Sequence, residues 1–242
     1  MTQDWRGRLY DAYVSSGQGG GSAKEGFRTQ KPYYSALVAR HLPADRSSAI
    51  LDLGCGAGGL IHTLKSLGYT AVRGADFSAE MVAEAHAAGV TEVVEADLFS
   101  YAASVEDDSL DVVFLMDVLE HLDRPTLFHA CDEVLRILKP GGRLIVHVPN
   151  AGGIFGALIR YGDLTHERAF TEGSLRQLFS VAGFARSDCY EDKPVPHGIK
   201  SLVRAVLWGI GTFPFRLLYA AETGRFGCIL SQNLLCVARA PG

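Results

Sequence analysis

The hydrophobic positions of this 242-residue chain change period repeatedly along its length. Short apolar runs at residues 49–53, 71–75, 92–96, 110–116 and 143–148 are interleaved with stretches at 60–67, 79–88 and 124–138 in which apolar residues recur three or four positions apart. Runs of that length read as strands covered on both faces, and the intervening periodicity reads as amphipathic helix. The alternation therefore predicts an α/β fold, a parallel sheet with helices on both faces. Upstream, Tyr33, Leu37, Val38 and Leu42 predict a leading helix over residues 32–42, ended by the turn at Pro43. Downstream, Thr171 and Gly183 punctuate a further helix as N-cap and stop, and strands follow at 184–190 and 234–239, seven in all.

Two segments fall outside the alternation. Residues 15–26, SSGQGGGSAKEG, have almost no apolar content and read as a mobile segment or lid. Residues 1–44 are thus expected to form an N-terminal arm, in which Tyr10 or Tyr13 completes the lid, and residues 45–242 the main domain. Residues 199–221, IKSLVRAVLWGIGTFPFRLLYAA, carry only Lys200, Arg204 and Arg216 as charges and are more apolar than one buried helix face requires. Their charge-free part, 205–215, contains Gly209, Gly211 and Pro214, and is expected to be too short and too broken to cross a bilayer, which takes about 20 helical residues. Two readings stay open for this C-terminal helical insertion. One is a basic-flanked amphipathic surface that makes peripheral contact with a membrane or a lipid-linked acceptor. The other is a cap packed on the sheet or on a second subunit, in a homodimer.

Composition narrows the classes. Hydrophobic residues make up 48% and charged residues 21%, which excludes a disordered or collagen-like chain. With 23 basic against 27 acidic side chains and no basic run, nucleic acid is not an expected partner. Cys55, Cys131, Cys189, Cys228 and Cys236 are scattered without a C-x-x-C pair, so neither a disulfide framework nor a zinc knuckle is expected. That cysteine usage, with an N-terminal sequence lacking the pattern of a secretory signal, points to the cytoplasm, qualified by membrane association through 199–221.

The strongest chemical signal is AILDLGCGAGG, residues 49–59, where Gly54, Gly56, Gly58 and Gly59 follow a strand and precede a helix. Glycines in that context let the backbone turn tightly and approach a small ligand. Gly54-x-Gly56-x-x-Gly59 also satisfies the dinucleotide fingerprint, with Asp76 placed to hold a ribose hydroxyl in either reading. No Tyr-x-x-x-Lys pair accompanies it, which weighs against an NAD-dependent oxidoreductase.

Further motifs occur in order: Asp52 before the glycines, Asp76 and Phe77 in GADFS, Asp97 and Leu98 in VEADL, then DVVFLMDVLEHL and LKPGGRLIVHVPN. With these the sequence resembles the class I S-adenosylmethionine-dependent methyltransferases, over about residues 45–190 and the terminal strand. The resemblance implies a Rossmann-like seven-stranded sheet and S-adenosylmethionine as the cofactor. It also implies Asp52 near the methionine amino group, Gly54 and Gly56 against the ligand, Asp76 on the ribose, and Phe77, Asp97 and Leu98 around the adenine, with Asp117 in the same pocket. Each acid has a structural alternative: Asp52 as a turn cap, Asp76 as the cap of the helix beginning near Ser78, Asp97 as a strand end. Their joint position at the carboxyl ends of successive strands, where open α/β sheets bind ligands, favours the binding role.

Two constellations carry candidate acceptor chemistry. In Asp117-Val-Leu-Glu120-His121 a helix would put two carboxylates and an imidazole on one face. Such a set suits Mg or Mn and is similar to the metal-binding Glu-x-x-Glu-His of ubiquinone-pathway O-methyltransferases, with Asp in the first position. The favoured alternative is a metal-free pair that lines the cofactor pocket. In GDLTHERAFTEGSL, residues 162–175, a loop follows the fifth strand, and His166 is the expected general base, its ring oriented by Asp163 or Glu167. The expected reaction is O-methylation of a small molecule or saccharide. N-methylation by proximity and a non-catalytic cofactor-binding or membrane-tethering module are the alternatives.

Overall fold

The computed structural model describes residues 8–9 and 23–242, so Tyr10, Tyr13 and the rest of 1–7 and 10–22 in the expected arm lie outside the described residues. Helix α1 (Ala23–His41) begins well ahead of the expected residue 32 and takes in Pro32. A proline there leaves the Arg28 carbonyl without its helical donor. Burial on one face sustains the helix nonetheless: Phe27, Leu37 and Val38 are all buried, and the Phe27 ring stacks on His62 at 4.6 Å. The end of the Gly/Ser-rich segment is thus part of a packed element.

There follow β1 (Ile50–Leu53), α2 (Gly59–Ser66), β2 (Val72–Asp76), α3 (Ala79–Ala87), β3 (Val93–Glu95), α4 (Leu98–Ala103), β4 (Leu110–Met116), a 3-10 turn (Leu119–His121) and α5 (Arg124–Ile137). The remainder is β5 (Leu138–Pro149), α6 (Gly156–Arg160), α7 (Glu172–Val181), β6 (Arg186–Glu191), α8 (Ile199–Thr223) and β7 (Asn233–Arg239). All seven expected strands are present. The six-residue α4 and five-residue α6 are too short to write a period into the sequence.

The strands form one sheet in the order β3-β2-β1-β4-β5-β7-β6. β1 to β5 pair in parallel, as expected, but β7 runs antiparallel to both its neighbours, so the sheet is mixed rather than all parallel. Glu191 at the end of β6 pairs with Leu234, and Pro149 at the end of β5 with Asn233. The chain therefore leaves and re-enters the sheet at the same edge, and a strand entering there must run back.

Successive residues of β4 explain the helices on both faces. Val113 and Leu115 join a cluster with Leu127 and Val134 of α5 and Leu175 and Phe179 of α7. Val112 and Phe114 point the other way, into a cluster with Leu37 of α1, Ile61 and Leu64 of α2 and Val82 of α3. With both faces covered, ligand access falls to the carboxyl edge of the sheet.

The insertion corrects the expectation of a broken segment. α8 runs unbroken for 25 residues through Gly209, Gly211 and Pro214, and is long and apolar enough to cross a membrane by length and composition. Only Ser201 and Thr212 of its residues are buried. Arg216 ties it to the domain, with two 2.8 Å contacts to the Glu191 carboxylate and one to the Cys228 carbonyl.

Candidate active site

The glycine loop after β1 is shaped by three positions in left-handed backbone, Gly54 (φ 75°), Gly56 (φ 51°) and Gly58 (φ 78°). At Gly54 a Cβ would sit 2.5 Å from Cγ2 of Val118, so the glycine serves both conformation and close approach. The Gly56 N–H donates to Oδ2 of Asp76 at 2.7 Å, and Ser78 N–H to Oδ1 at 2.9 Å. Asp76 thus holds the glycine loop as well as the turn into α3, where Ser78 is the N-cap. Beneath the loop, Asp52 is 2% exposed, and its Oδ1 has no hydrogen-bond partner among the described residues. Burial, and then the neighbouring charge of Asp76, push its carboxyl up to about 8. An orphaned buried carboxyl oxygen costs about 1–3 kcal/mol, which a ligand ammonium group would offset.

Two cavities meet over this loop and share Gly54, Gly56, Met81 and Asp117. The smaller, about 240 Å³, is lined by Asp52, Cys55 and Met116, with Phe27, Gln30 and Tyr34 of α1 as its lid. The larger, about 580 Å³, is lined by Asp76, Phe77, Asp97, Leu98 and His121. Every residue expected to hold the cofactor lines one or both. Asp97 does so while also capping α4 through the Phe99 and Ser100 N–H groups, both at 3.0 Å, so the structural and binding readings coexist in one side chain.

A third cavity, about 400 Å³, lies across α1. Tyr33 lines it, whereas Tyr34 lines the cofactor side, the rings being 5.5 Å apart. A chain of contacts through the buried His147 joins the two sides. Nδ1 of His147 meets Oδ1 of Asp117 at 2.7 Å, and Nε2 meets Oδ2 of Asp192, a lining residue of the third cavity, at 3.2 Å. Burial alone would lower the His147 pKa, but the two carboxylates outweigh it and hold the ring well above 6.5, as an imidazolium. The candidate site residues read from the sequence do not include His147. The available signal was an ionisable side chain in the middle of the apolar run LIVHVP.

The Asp117–Glu120–His121 set is not brought together as expected. Asp117 lies outside any helix, in left-handed backbone (φ 58°), and its carboxylate is turned onto His147. The group that converges is Glu120, His121 and His166, with one ligand-type atom of each within 4.8 Å of the others. The loop carrying His166 is fastened across the 3-10 turn, Glu167 N–H donating to the Glu120 carbonyl at 2.8 Å.

Within that loop Oδ1 of Asp163 accepts from the N–H and hydroxyl of Thr165, at 2.8 and 2.6 Å. With its proton so used, Oγ1 of Thr165 accepts from Nδ1 of His121 at 2.9 Å, leaving the His121 Nε2 lone pair free of that chain. His166 instead donates from Nδ1 to the Ile159 carbonyl at 3.1 Å, stands edge-on to His121 at 4.8 Å, and brings Nε2 to 4.0 Å from Oε1 of Glu120. A backbone carbonyl therefore occupies the ring nitrogen through which a carboxylate was expected to orient His166. Of the two imidazoles, His121 lines the larger cavity and His166 lines none of the three. Burial and then the nearby His166 lower the His121 pKa. Glu120 is 1% exposed, neither carboxyl oxygen accepts a hydrogen bond among the described residues, and burial, then the charge of Asp117, hold its pKa well above 4.5.

Residues 51–146 match the methyltransferase domain family. A ubiquinone biosynthesis O-methyltransferase of Xanthomonas oryzae is 37% identical over 108 residues, 42% of this chain and 43% of that protein. A 27-O-demethylrifamycin SV methyltransferase of Amycolatopsis mediterranei is 31% identical over 126 residues, 48% of this chain and 46% of that protein. The chain thus spans less than half the length of these curated relatives. Among solved structures, a SAM-dependent methyltransferase from Archaeoglobus fulgidus superposes with a TM-score of 0.64 at 21% identity, covering 89% of this chain and 97% of that one, and shares the fold.

Proposed function

We propose that this chain, whose residues 51–146 belong to the methyltransferase domain family, transfers the methyl group of S-adenosylmethionine to a hydroxyl of a small molecule, a saccharide or a lipid-linked acceptor. The observation that carries the reading is the orphaned Oδ1 of Asp52 at one end of a paired cavity that holds Asp76 and Asp97 at the other. That donor set fits a ligand with an ammonium group, ribose hydroxyls and a neutral base, and among the described residues no lysine or arginine lines either half.

When bound, S-adenosylmethionine supplies an electrophilic methyl group on a sulfonium. Asp52 would receive the ammonium group, Gly54 and Gly56 would admit the ligand to the backbone, Asp76 would take the ribose hydroxyls, and Phe77 and Leu98 would flank the base. The two relatives' names favour oxygen as the nucleophile. An acceptor hydroxyl must be aligned and deprotonated. His121 is suited to take that proton, with Nδ1–H held by Thr165, Nε2 free and a lowered pKa that keeps it neutral at pH 7. His166, packed behind it, is the competing assignment. The third cavity, joined to Asp117 through His147 and Asp192, serves as the acceptor's entry.

The test is transfer of a labelled methyl group from S-adenosylmethionine into acceptor extracts separated into aqueous and lipid fractions. Label in either fraction supports the reading and sorts the acceptor class. Intact cofactor binding with no label in either would replace it with a non-catalytic binding module.

A further inference from the structure

α8 is inside out for a surface helix. The side chains it buries are the hydroxyls Ser201 and Thr212, while Ile199, Val203, Val206, Ile210, Phe213 and Leu217 face outward, at 47–84% exposure. Their spacing of four and three residues aligns them in one stripe. Leu202 on one flank and Leu207 and Leu218 on the other widen it to an arc of roughly 160° at 100° per residue. An arc that wide exceeds the narrow seam that pairs two helices. It runs the length of the helix, about 37 Å at 1.5 Å per residue. Water is a poor neighbour for such a surface.

Charge indicates what covers it. The chain as a whole is acidic, at −4, yet Lys200, Arg204 and Arg216 are the charges of α8 until Glu222 near its end. Lys200 sits at the margin of the apolar arc and Arg204 about 40° further round, where it also lines the third cavity; both are exposed and without an ion pair or side-chain hydrogen bond among the described residues. Basic side chains rimming a broad apolar face are placed to reach anionic headgroups while the face enters the acyl boundary.

Topology fixes the orientation. β6 and β7, which bracket α8, are hydrogen-bonded neighbours in one sheet, with Glu191 opposite Leu234. Were α8 to span a bilayer, residues 224–232 would have to recross it, a stretch without regular secondary structure that reaches about 30 Å at full extension. Unpaired backbone in hydrocarbon is prohibitive.

We propose that the outer face of α8 docks on an anionic phospholipid surface, the helix lying in the plane of the membrane with Lys200 and Arg204 among the headgroups. This inference is independent of methyl transfer, since its readout needs no acceptor.

The experiment is flotation of the full chain with vesicles of phosphatidylcholine, alone or mixed with phosphatidylglycerol. The expected result is binding to the mixed vesicles that weakens with salt. Val206→Asp with Ile210→Asp should lower binding about tenfold or more, and Lys200→Glu with Arg204→Glu should abolish the preference for phosphatidylglycerol. Both pairs should retain wild-type S-adenosylhomocysteine binding, which shows that they fold. Failure of the wild type to float with either vesicle would overturn the proposal, as would equal flotation of wild type and the aspartate pair. A wild-type dimer that ignores vesicles and is split by the aspartate pair would assign the face to a second copy of the chain instead.

Discussion

His147 and Asp117, at the ends of the neighbouring strands β5 and β4, meet at 2.7 Å between Nδ1 and Oδ1, and Asp192 occupies the other ring nitrogen. Burial opposes the charge on the ring, and the two carboxylates overcome it, so the folded pKa lies well above 6.5. A raised folded pKa means that the stabilisation is complete below 6.5 and is lost as pH climbs through the folded value. Thermal unfolding should show stability falling on the alkaline side. His147→Gln should remove that part of the slope and cost about 1.5–3 kcal/mol at neutral pH, the range for a hydrogen bond to a charged group. Parallel pH curves for wild type and variant would remove the imidazolium from the account.

Asp52, raised to about 8, is protonated at pH 7 before ligand binds. An ammonium group arriving at Oδ1 stabilises the carboxylate, so the folded pKa drops and a proton leaves. Calorimetry of S-adenosylhomocysteine binding at pH 7, in buffers of different ionisation enthalpy, should report release of about one proton per site. Asp52→Asn should bind more weakly and release none. Release that persists in the variant would place its source elsewhere.

At Gly54 an alanine meets two obstacles, a left-handed φ of 75° and Cγ2 of Val118 at 2.5 Å. The backbone part alone costs about 1–2 kcal/mol. Gly54→Ala should lower Tm and weaken S-adenosylhomocysteine binding, and adding Val118→Ala should recover only the steric share. Wild-type affinity in the single variant would mean that the loop can shift without consequence.

The two imidazoles are separable by kinetics. If His121 takes the acceptor proton, His121→Ala should lower kcat about 10²- to 10⁴-fold, and His166→Ala should cost far less. Thr165→Val, which removes only the group that holds Nδ1–H, should shift the pH profile of kcat rather than KM. The reverse ranking of the histidine variants would assign the base to His166, and small losses in both would favour nitrogen methylation by proximity.

Dialysis against a chelator tests the Glu120–His121–His166 cluster. Activity should survive, because burial and the charge of Asp117 raise the Glu120 pKa and so oppose the ionised carboxylate that a cation would need. Loss of activity that added Mg or Mn restores would make the cluster a metal site.

Much of this was legible in the sequence because open α/β sheets concentrate their signal. The strands are apolar runs, and Asp52, Asp76 and Asp97 stand at their carboxyl ends, where no core requirement explains an acid. What was hidden depended on approach through space. Asp117 looked helical, but its left-handed backbone sends the carboxylate to His147, a residue 30 positions away that sequence spacing cannot link to it. His166 stood out as a loop histidine, while the Thr165–His121 contact that distinguishes the two rings joins positions 44 apart. In α8 the glycines and Pro214 looked like breaks because local propensity was weighed without the helix's length or its Arg216 anchor.

The segment between Glu191 and Asn233 leaves and rejoins the sheet at one edge, and the β6–β7 ladder beside it closes without using any of its residues. Its helix, α8, can therefore change in length and chemistry while every rung of the sheet and the Asp192–His147 contact stay in place. It behaves as an interchangeable cassette on a fixed chassis. Exchanging α8 would alter the surface the domain presents, with Asp117, His147 and Asp192 left untouched.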